Sequence, residues 1–290
     1  MSKFFNEVQK AQPRTTRAPD PAQLDVVSVI DAIKQSGAVD TAAVETCPQD
    51  EPPVQAEKAS LGAITVSKKD GNSPSAPAVE AYRSLRTRVM RLQASKRIAS
   101  IMLTSSIASE GKTMTALNLA LSCAQLADLR ILLVDADLRS RGLTRLLEVP
   151  GGPGLSDVLL GKSSVEEVLL ATEHENLSVI GAGSSSSNPA ELFASTRWPE
   201  FIEWGKKSFS IILIDAPPIH SLADAELIGA ACDGALIIVK AFSTPREMTQ
   251  KCAARLDKKK LMGIVFNGLP STGAEDRYSY FGTPNGDKQG

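Results

Sequence analysis

Aromatic side chains make up only 4% of the 290 residues: eight Phe, three Tyr and two Trp. So few rings leave little platform for stacking single-stranded bases. There is no surplus of positive charge either. Against 32 Lys and Arg stand 33 Asp and Glu, a formal net charge of -1, which argues against a nucleic-acid binder working by bulk electrostatics. Cysteine is sparse: Cys47, Cys123, Cys232 and Cys252 are scattered, with no CxxC and no neighbouring histidine. They read as reduced thiols of a cytosolic protein, not as a metal or disulfide framework. His174 and His220 have no second histidine or cysteine close in sequence and read as loop residues. No stretch approaches the roughly 20 continuous apolar residues that cross a bilayer. Met1-Ser2-Lys3-Phe4-Phe5 lacks the apolar run of a secretory signal. The expectation is a cytoplasmic chain without a membrane span, recruited to the inner face of the plasma membrane only through a partner.

What is present changes along the chain. Eight of the seventeen prolines lie at or before Pro77, among Ala, Ser, Asp and Glu. Such a composition buries little apolar surface and does not offset chain entropy, so most of residues 12–76 are expected to be mobile. Two short stretches there have helical spacing: Phe4, Phe5 and Val8, then Val26, Val29, Ile30 and Ile33. They are either transient helices of a linker or partner-docking segments. From Ala78 onward apolar runs without alternation are separated by helical patterns, the signature of a parallel sheet covered on both faces. The predicted fold class is therefore α/β, a doubly wound, mainly parallel sheet. Its predicted strands are 98–104, 130–135, 177–180, 211–215, 235–239 and 262–266. Helices are predicted over 79–92, 113–127, 190–207, 224–231 and 245–256. Trp198 and Trp204, about a turn and a half apart on one helix, read as core or interface residues. The expected domains are a flexible N-terminal segment (1–77), one nucleotide-binding domain (78–270) and a flexible tail (271–290).

Three motifs fall at the carboxyl ends of predicted strands, where ligands of such sheets bind. The first is Ser105-Ser106-Ile107-Ala108-Ser109-Glu110-Gly111-Lys112-Thr113, a phosphate loop opening a helix, with Ser106 standing where the usual pattern has its first glycine. Backbone N–H groups of such a loop surround phosphate oxygens, the lysine neutralises the β- and γ-phosphates, and the threonine hydroxyl ligates Mg²⁺. The nucleotide contacts expected here are Ser109, Glu110, Gly111, Lys112, Thr113 and Met114. Next, Ile131–Val134 leads into Asp135-Ala136-Asp137-Leu138-Arg139, and Ile211–Ile214 leads into Asp215-Ala216-Pro217-Pro218. A charge at the end of a buried strand is solvated, paired or metal-bound. Either acidic cluster alone would serve as a helix cap. In this order behind a lysine loop, they point together to a magnesium-nucleotide site.

At this point the sequence resembles the bacterial tyrosine kinases of exopolysaccharide synthesis, the BY-kinases, which share a broad class with the ParA/MinD ATPases. The likeness covers roughly residues 78–270 and includes "LLVDADLR", "ILIDAPP" and the run Glu80-Ala81-Tyr82-Arg83-Ser84-Leu85-Arg86. Gly154-Leu155-Ser156-Asp157, Asn188-Pro189-Ala190-Glu191-Leu192 and Ala223-Asp224-Ala225 also look like family positions. The resemblance implies ATP and Mg²⁺ as cofactors, with Lys112 on phosphate and Thr113, Asp137 and Asp215 around the metal. It implies Asp135 as the base for a substrate tyrosine, giving Lys112, Asp135 and Asp137 as catalytic residues. Arg139 pairs either with phosphate or with a neighbouring acid. Asn267 either contacts adenine or merely ends the last strand. Glu80, Arg83 and Arg86 are implied as contacts of a homo-oligomer, and a membrane polysaccharide co-polymerase as activating partner. The family's tail tyrosine cluster is thin here, with only Tyr278 and Tyr280 as phosphoacceptors. These rings either accept phosphate or tether the tail. Phosphate there adds roughly -1.5 to -2 charge per tyrosine and weakens docking of an acidic segment. The activity implied is an ATP-dependent protein-tyrosine autokinase controlling exopolysaccharide polymerisation or export. Two other readings stand beside it. A ParA/MinD-like switch would usually carry an extra lysine early in its phosphate loop, which Ser105–Ser109 lacks. A nucleotide-binding scaffold would do little chemistry.

Overall fold

A computed structural model of the chain describes residues 76–149, 151–184, 188–219 and 223–269. All lie within one unit of the chain, Val44–Ser271. The two apolar stretches near the N-terminus, the tail tyrosines, Cys47 and His220 lie outside the described residues.

The chain opens with α1 (Ala76–Lys96) and β1 (Ser100–Ser105), followed by α2 (Lys112–Ala124) and β2 (Ile131–Asp135). Three short helices come next, α3 (Gly142–Leu146), α4 (Leu155–Leu160) and α5 (Val165–Val168). Then follow β3 (Leu170–Ala171), β4 (Leu177–Ile180), α6 (Pro189–Ala194), α7 (Arg197–Ser208) and β5 (Ile211–Asp215). The described chain finishes with α8 (Asp224–Ala231), β6 (Gly234–Lys240), α9 (Arg246–Arg255) and β7 (Leu261–Asn267). The strands form one sheet in the order β3-β4-β2-β5-β1-β6-β7. All neighbours are parallel except β3, which runs antiparallel to β4.

The apolar strands split their side chains between two cores because successive residues point to opposite faces. Met102, Leu132, Val134, Ile212, Ile214 and Ile237 join one core with Trp198, Phe201 and Ile228. Ile101, Leu103, Ile131, Leu133, Leu213 and Ile238 join the other with Val89, Ala116, Leu119 and Ala120 of α1 and α2. Burial on both sides is why these strands read as unbroken apolar runs. In the first core the rings of Phe193, Trp198, Phe201, Trp204 and Phe209 follow one another at 5.2, 5.6, 5.9 and 5.9 Å. Trp198, fully buried, donates its indole N–H to the Ile228 carbonyl at 3.2 Å.

The sequence pattern suggested one helix over 190–207, where the structure has two. Pro199 has no N–H for a helix running through Ser195, but it is tolerated in the first turn of a new helix. The Ser195 hydroxyl closes α6 on the Leu192 carbonyl at 2.6 Å. The stretch from 140 to 171, given no element from sequence, folds into α3, α4, α5 and β3. Its anchor is Gly154, where a Cβ would meet the Gly183 nitrogen at 2.4 Å and the Gly181 carbonyl at 2.5 Å. Only glycine permits that approach of two backbones. Asp157 fixes it, accepting from the N–H groups of Gly154 and Ser184 at 2.9 Å each.

Candidate active site

Parallel register assembles the site. Asp135 and Asp215 end adjacent strands and are direct partners across them, while Leu103 of β1 pairs with Asp215. The loop leaving β1 therefore rises beside both aspartates, and α2 begins over them. Lys112, the first residue of α2, places its Nζ 2.9 Å from Asp137 Oδ2 and 3.4 Å from Asp215 Oδ1. The Thr113 hydroxyl donates to Asp215 Oδ2 at 2.7 Å.

Electrostatically the cluster is unbalanced: three buried carboxylates face one ammonium. Burial alone would lower the Lys112 pKa, but Asp215 and Asp137 outweigh it and hold it above the ordinary lysine value. Burial pushes Asp215 up to about 7, with Lys112 pulling the other way. Burial also raises Asp135, against two hydrogen bonds from Thr144. Asp135 is in fact closely held. Its Oδ2 accepts from the Thr144 N–H at 2.7 Å and hydroxyl at 2.6 Å, and its Oδ1 from the Asp137 N–H at 3.2 Å. Thr144 in turn accepts from the Ala182 N–H at 2.8 Å, so the expected base also ties β2 to the loop after β4.

The phosphate loop is shaped and fastened from outside. Ser109 and Gly111 both have left-handed backbones, with φ of 65° and 87°, the kind of backbone that forms anion-binding concavities. A Cβ on Gly111 would lie 2.0 Å from Asn267 Nδ2, and Asn267 donates to the Glu110 carbonyl at 3.0 Å. Glu110, expected from sequence among the nucleotide contacts, turns its side chain inward and is only 1% exposed. Its carboxylate accepts from the Ile107 N–H at 2.9 Å, from the Lys240 N–H at 3.4 Å and from the Thr244 hydroxyl. It fastens the loop to β6 and to the segment before α9. Met114, in the first turn of α2, is half-buried, and its carbonyl accepts from Asn118 at 2.7 Å.

The helix before β1 is placed by Arg86, whose guanidinium reaches the Ser122 carbonyl of α2 and Gln125 just beyond its end. Glu80 and Arg83 form an exposed pair at 3.6 Å. Arg139 reaches a neighbouring acid, its Nε and Nη2 lying 2.8 and 3.4 Å from Asp224. Sequence reasoning did not single out Thr144 or Thr244, and marked Asp157 only as a position of family likeness, not as a brace. Each acts through a partner 9, 134 or 27 residues away, a distance that no local pattern signals.

The comparisons with known proteins fit this geometry. A family model described as an AAA domain matches residues 100–245. The tyrosine-protein kinase YwqD of Bacillus subtilis is 34% identical over 206 residues, 70% of this chain and 86% of that protein. The chain belongs to the bacterial tyrosine-protein kinase family. Among solved structures, the kinase domain of the Escherichia coli tyrosine kinase ETK matches with a TM-score of 0.64 and 28% identity. That match covers 68% of this family member and 78% of ETK's chain. The septum site-determining protein MinD of Pyrococcus horikoshii, complexed with Mg-ADP, matches with a TM-score of 0.50 and 26% identity over 58% of this chain and 68% of that one. A P-loop family of this kind uses nucleotide. The donor set also suits a magnesium-bound polyphosphate: an ammonium, a hydroxyl and carboxylate oxygens, with an excess of negative charge. Among the described residues no three His, Cys, Asp or Glu side chains form a metal site by themselves. Among the described residues no helix is long and apolar enough to cross a membrane.

Proposed function

We propose that this chain is a protein-tyrosine kinase that transfers the γ-phosphoryl group of ATP to tyrosines of its own kind. The observation carrying it is the convergence of Lys112, Thr113, Asp137 and Asp215 at the carboxyl ends of β2 and β5. In the reaction a bond forms between the phenol oxygen and the γ-phosphorus, the bond from that phosphorus to the bridging oxygen of ADP breaks, and the phenol proton passes to a carboxylate. Lys112 neutralises phosphate oxygens. Thr113, Asp137 and Asp215 are the residues for Mg²⁺, which when bound screens the phosphate charge and favours in-line transfer. Asp135 takes the phenol proton in this proposal, for which its bonds from Thr144 have to open. Asn267 lies beside the phosphate loop on the side proposed for adenine.

Tyr278 and Tyr280 are the proposed acceptors, on a tail (271–290) following the domain proposed over 78–270. Glu80 and Arg83 offer an exposed charged face of α1 to a neighbouring copy. Arg86 supports it indirectly by seating α1 on α2. The family resemblance supplies the wider setting: a cytoplasmic enzyme brought to the membrane by a polysaccharide co-polymerase or activator protein, regulating chain polymerisation or export. The test is incubation of the intact protein with ATP and Mg²⁺, alone and with the activator's cytoplasmic segment, followed by mass spectrometry. Phosphate is expected on Tyr278 or Tyr280, and Lys112→Met should reduce it at least about 100-fold. ATP hydrolysis with neither tyrosine modified would instead favour a MinD-like switch, the reading supported by the second structural likeness.

A further inference from the structure

We infer that Arg141 is a second cation of the nucleotide site, one that contacts the γ-phosphate and so makes the chain distinguish ATP from ADP. The inference rests on the nucleotide reading above and adds to it a residue that the motif does not include.

The segment leaving β2 carries two arginines near the site, and the structure treats them differently. Arg139 has its counter-ion in Asp224, which is 2% exposed. Arg141 has none: its Nε is buried without a hydrogen-bond partner, and its guanidinium forms no ion pair among the described residues. A buried polar atom without a partner is uncommon and disfavoured, the more so on a cation, because water is given up with nothing in exchange. The backbone there is also constrained. Arg141 stands at φ 51° and ψ 42°, immediately before α3, a left-handed conformation that a side chain with a Cβ disfavours. Its N–H is fixed on the Asp137 carbonyl at 2.6 Å. Two unfavourable features at one residue are usually retained where a ligand makes use of them.

The position says which ligand. The next residue, Gly142, backs directly onto Thr113, so that a Cβ there would stand 3.2 Å from the Thr113 hydroxyl. That hydroxyl marks the β/γ end of a bound nucleotide in this kind of loop. Asp137, on the other flank, is already joined to Lys112. The acceptor missing from Arg141 is therefore an anion arriving with the ligand at the far side of Thr113. A terminal phosphate with its exposed oxygens matches the planar fork of a guanidinium. ADP has no group at that place.

The experiment is calorimetric titration of the full chain with Mg-ADP and with a non-hydrolysable Mg-ATP analogue, for wild type, Arg141→Ala, Arg141→Lys and Arg141→Gly. The glycine variant accepts the left-handed backbone and separates loss of the cation from relief of strain. Arg141→Ala and Arg141→Gly should bind the triphosphate analogue about 10- to 100-fold more weakly, with ADP affinity changed less than about threefold. Arg141→Lys should recover part of the difference. An equal loss for both nucleotides, or no loss for either, overturns the assignment. Wild type binding neither nucleotide would sink the nucleotide reading itself, a different and separable result.

Discussion

Asp215 closes β5 at one end of the sheet, while Asp233 sits just before β6 at the other. Around Asp233 every interaction is supplied from within the chain. It accepts from the Ala99 and Ser100 N–H groups at 3.0 and 2.9 Å, from the Ser100 hydroxyl at 3.0 Å and from Lys206 at 2.7 Å. Burial alone would raise its pKa, but Lys206 and those N–H groups outweigh it and hold the carboxyl below its ordinary value. At the opposite end Asp215 shares a single lysine with Asp137, and burial pushes it up to about 7. The difference separates a joint from a site. A carboxylate whose charge is fully matched locks elements together, here α7, β1 and β6. A cluster with more carboxylate than cation has its remaining charge to offer to a ligand.

Four measurements press on that contrast. The largest effect is expected from Asp233→Ala, which leaves the Ala99 and Ser100 N–H groups without their acceptor and Lys206 with Glu203 alone. Urea unfolding at pH 7 should show a loss of about 3 kcal/mol. Because the folded pKa is depressed, this stabilisation is present above the unfolded carboxylate value near 3.9. It disappears as pH falls through the folded value. The gap between wild type and variant should therefore narrow below about pH 4, and a gap constant with pH would show that Asp233 acts through packing alone.

Gly111→Ala comes next, at about 2 kcal/mol from its left-handed backbone and the approach of Asn267. Adding Asn267→Ala should return part of that loss in a double-mutant cycle, and no recovery would assign all of it to backbone strain. Asp215→Asn should act in the opposite direction to Asp233→Ala. By removing one under-compensated carboxylate it should raise the stability of the nucleotide-free protein by about 1 kcal/mol, while abolishing extra stabilisation by Mg-ADP. A destabilised, magnesium-responsive variant would contradict the proposed imbalance.

The smallest effect concerns the thiols. Burial raises the pKa of Cys123, Cys232 and Cys252 to about 11, 12 and 11. Peptide mapping after brief alkylation of native protein at pH 8 should find all three unmodified, since the thiolate is the reactive form. Labelling of Cys252, below the phosphate loop, would show that this rim opens more readily than the strand-end packing implies.

Much of the sheet could be read from local pattern. The predicted strands 177–180 and 211–215 and helix 224–231 coincide with β4, β5 and α8, because apolar runs buried on both faces and bounded by Asp, Pro or Gly leave little ambiguity. Short elements escaped, as with α3, α4 and α5, where too few residues exist for a period to show. At the site, the lysine loop and both acidic strand ends were visible as motifs. The engagement of Glu110 was not, since a charged residue in a phosphate loop looks the same facing solvent or turned inward onto Thr244.

The order of residues thus settled the chemical inventory at the ends of the strands: an ammonium, a hydroxyl and three carboxylates, delivered by stretches whose apolarity compels burial on two faces. Tertiary packing settled how those groups are used. It set Asp135 opposite Asp215, closed Asp135 under Thr144 and gave Arg139 a partner while leaving the Arg141 Nε without one among the described residues. The reason is physical. Burial and periodicity act between near neighbours in sequence, whereas pairing of polar groups depends on strand register and on segments that meet across as many as 157 residues.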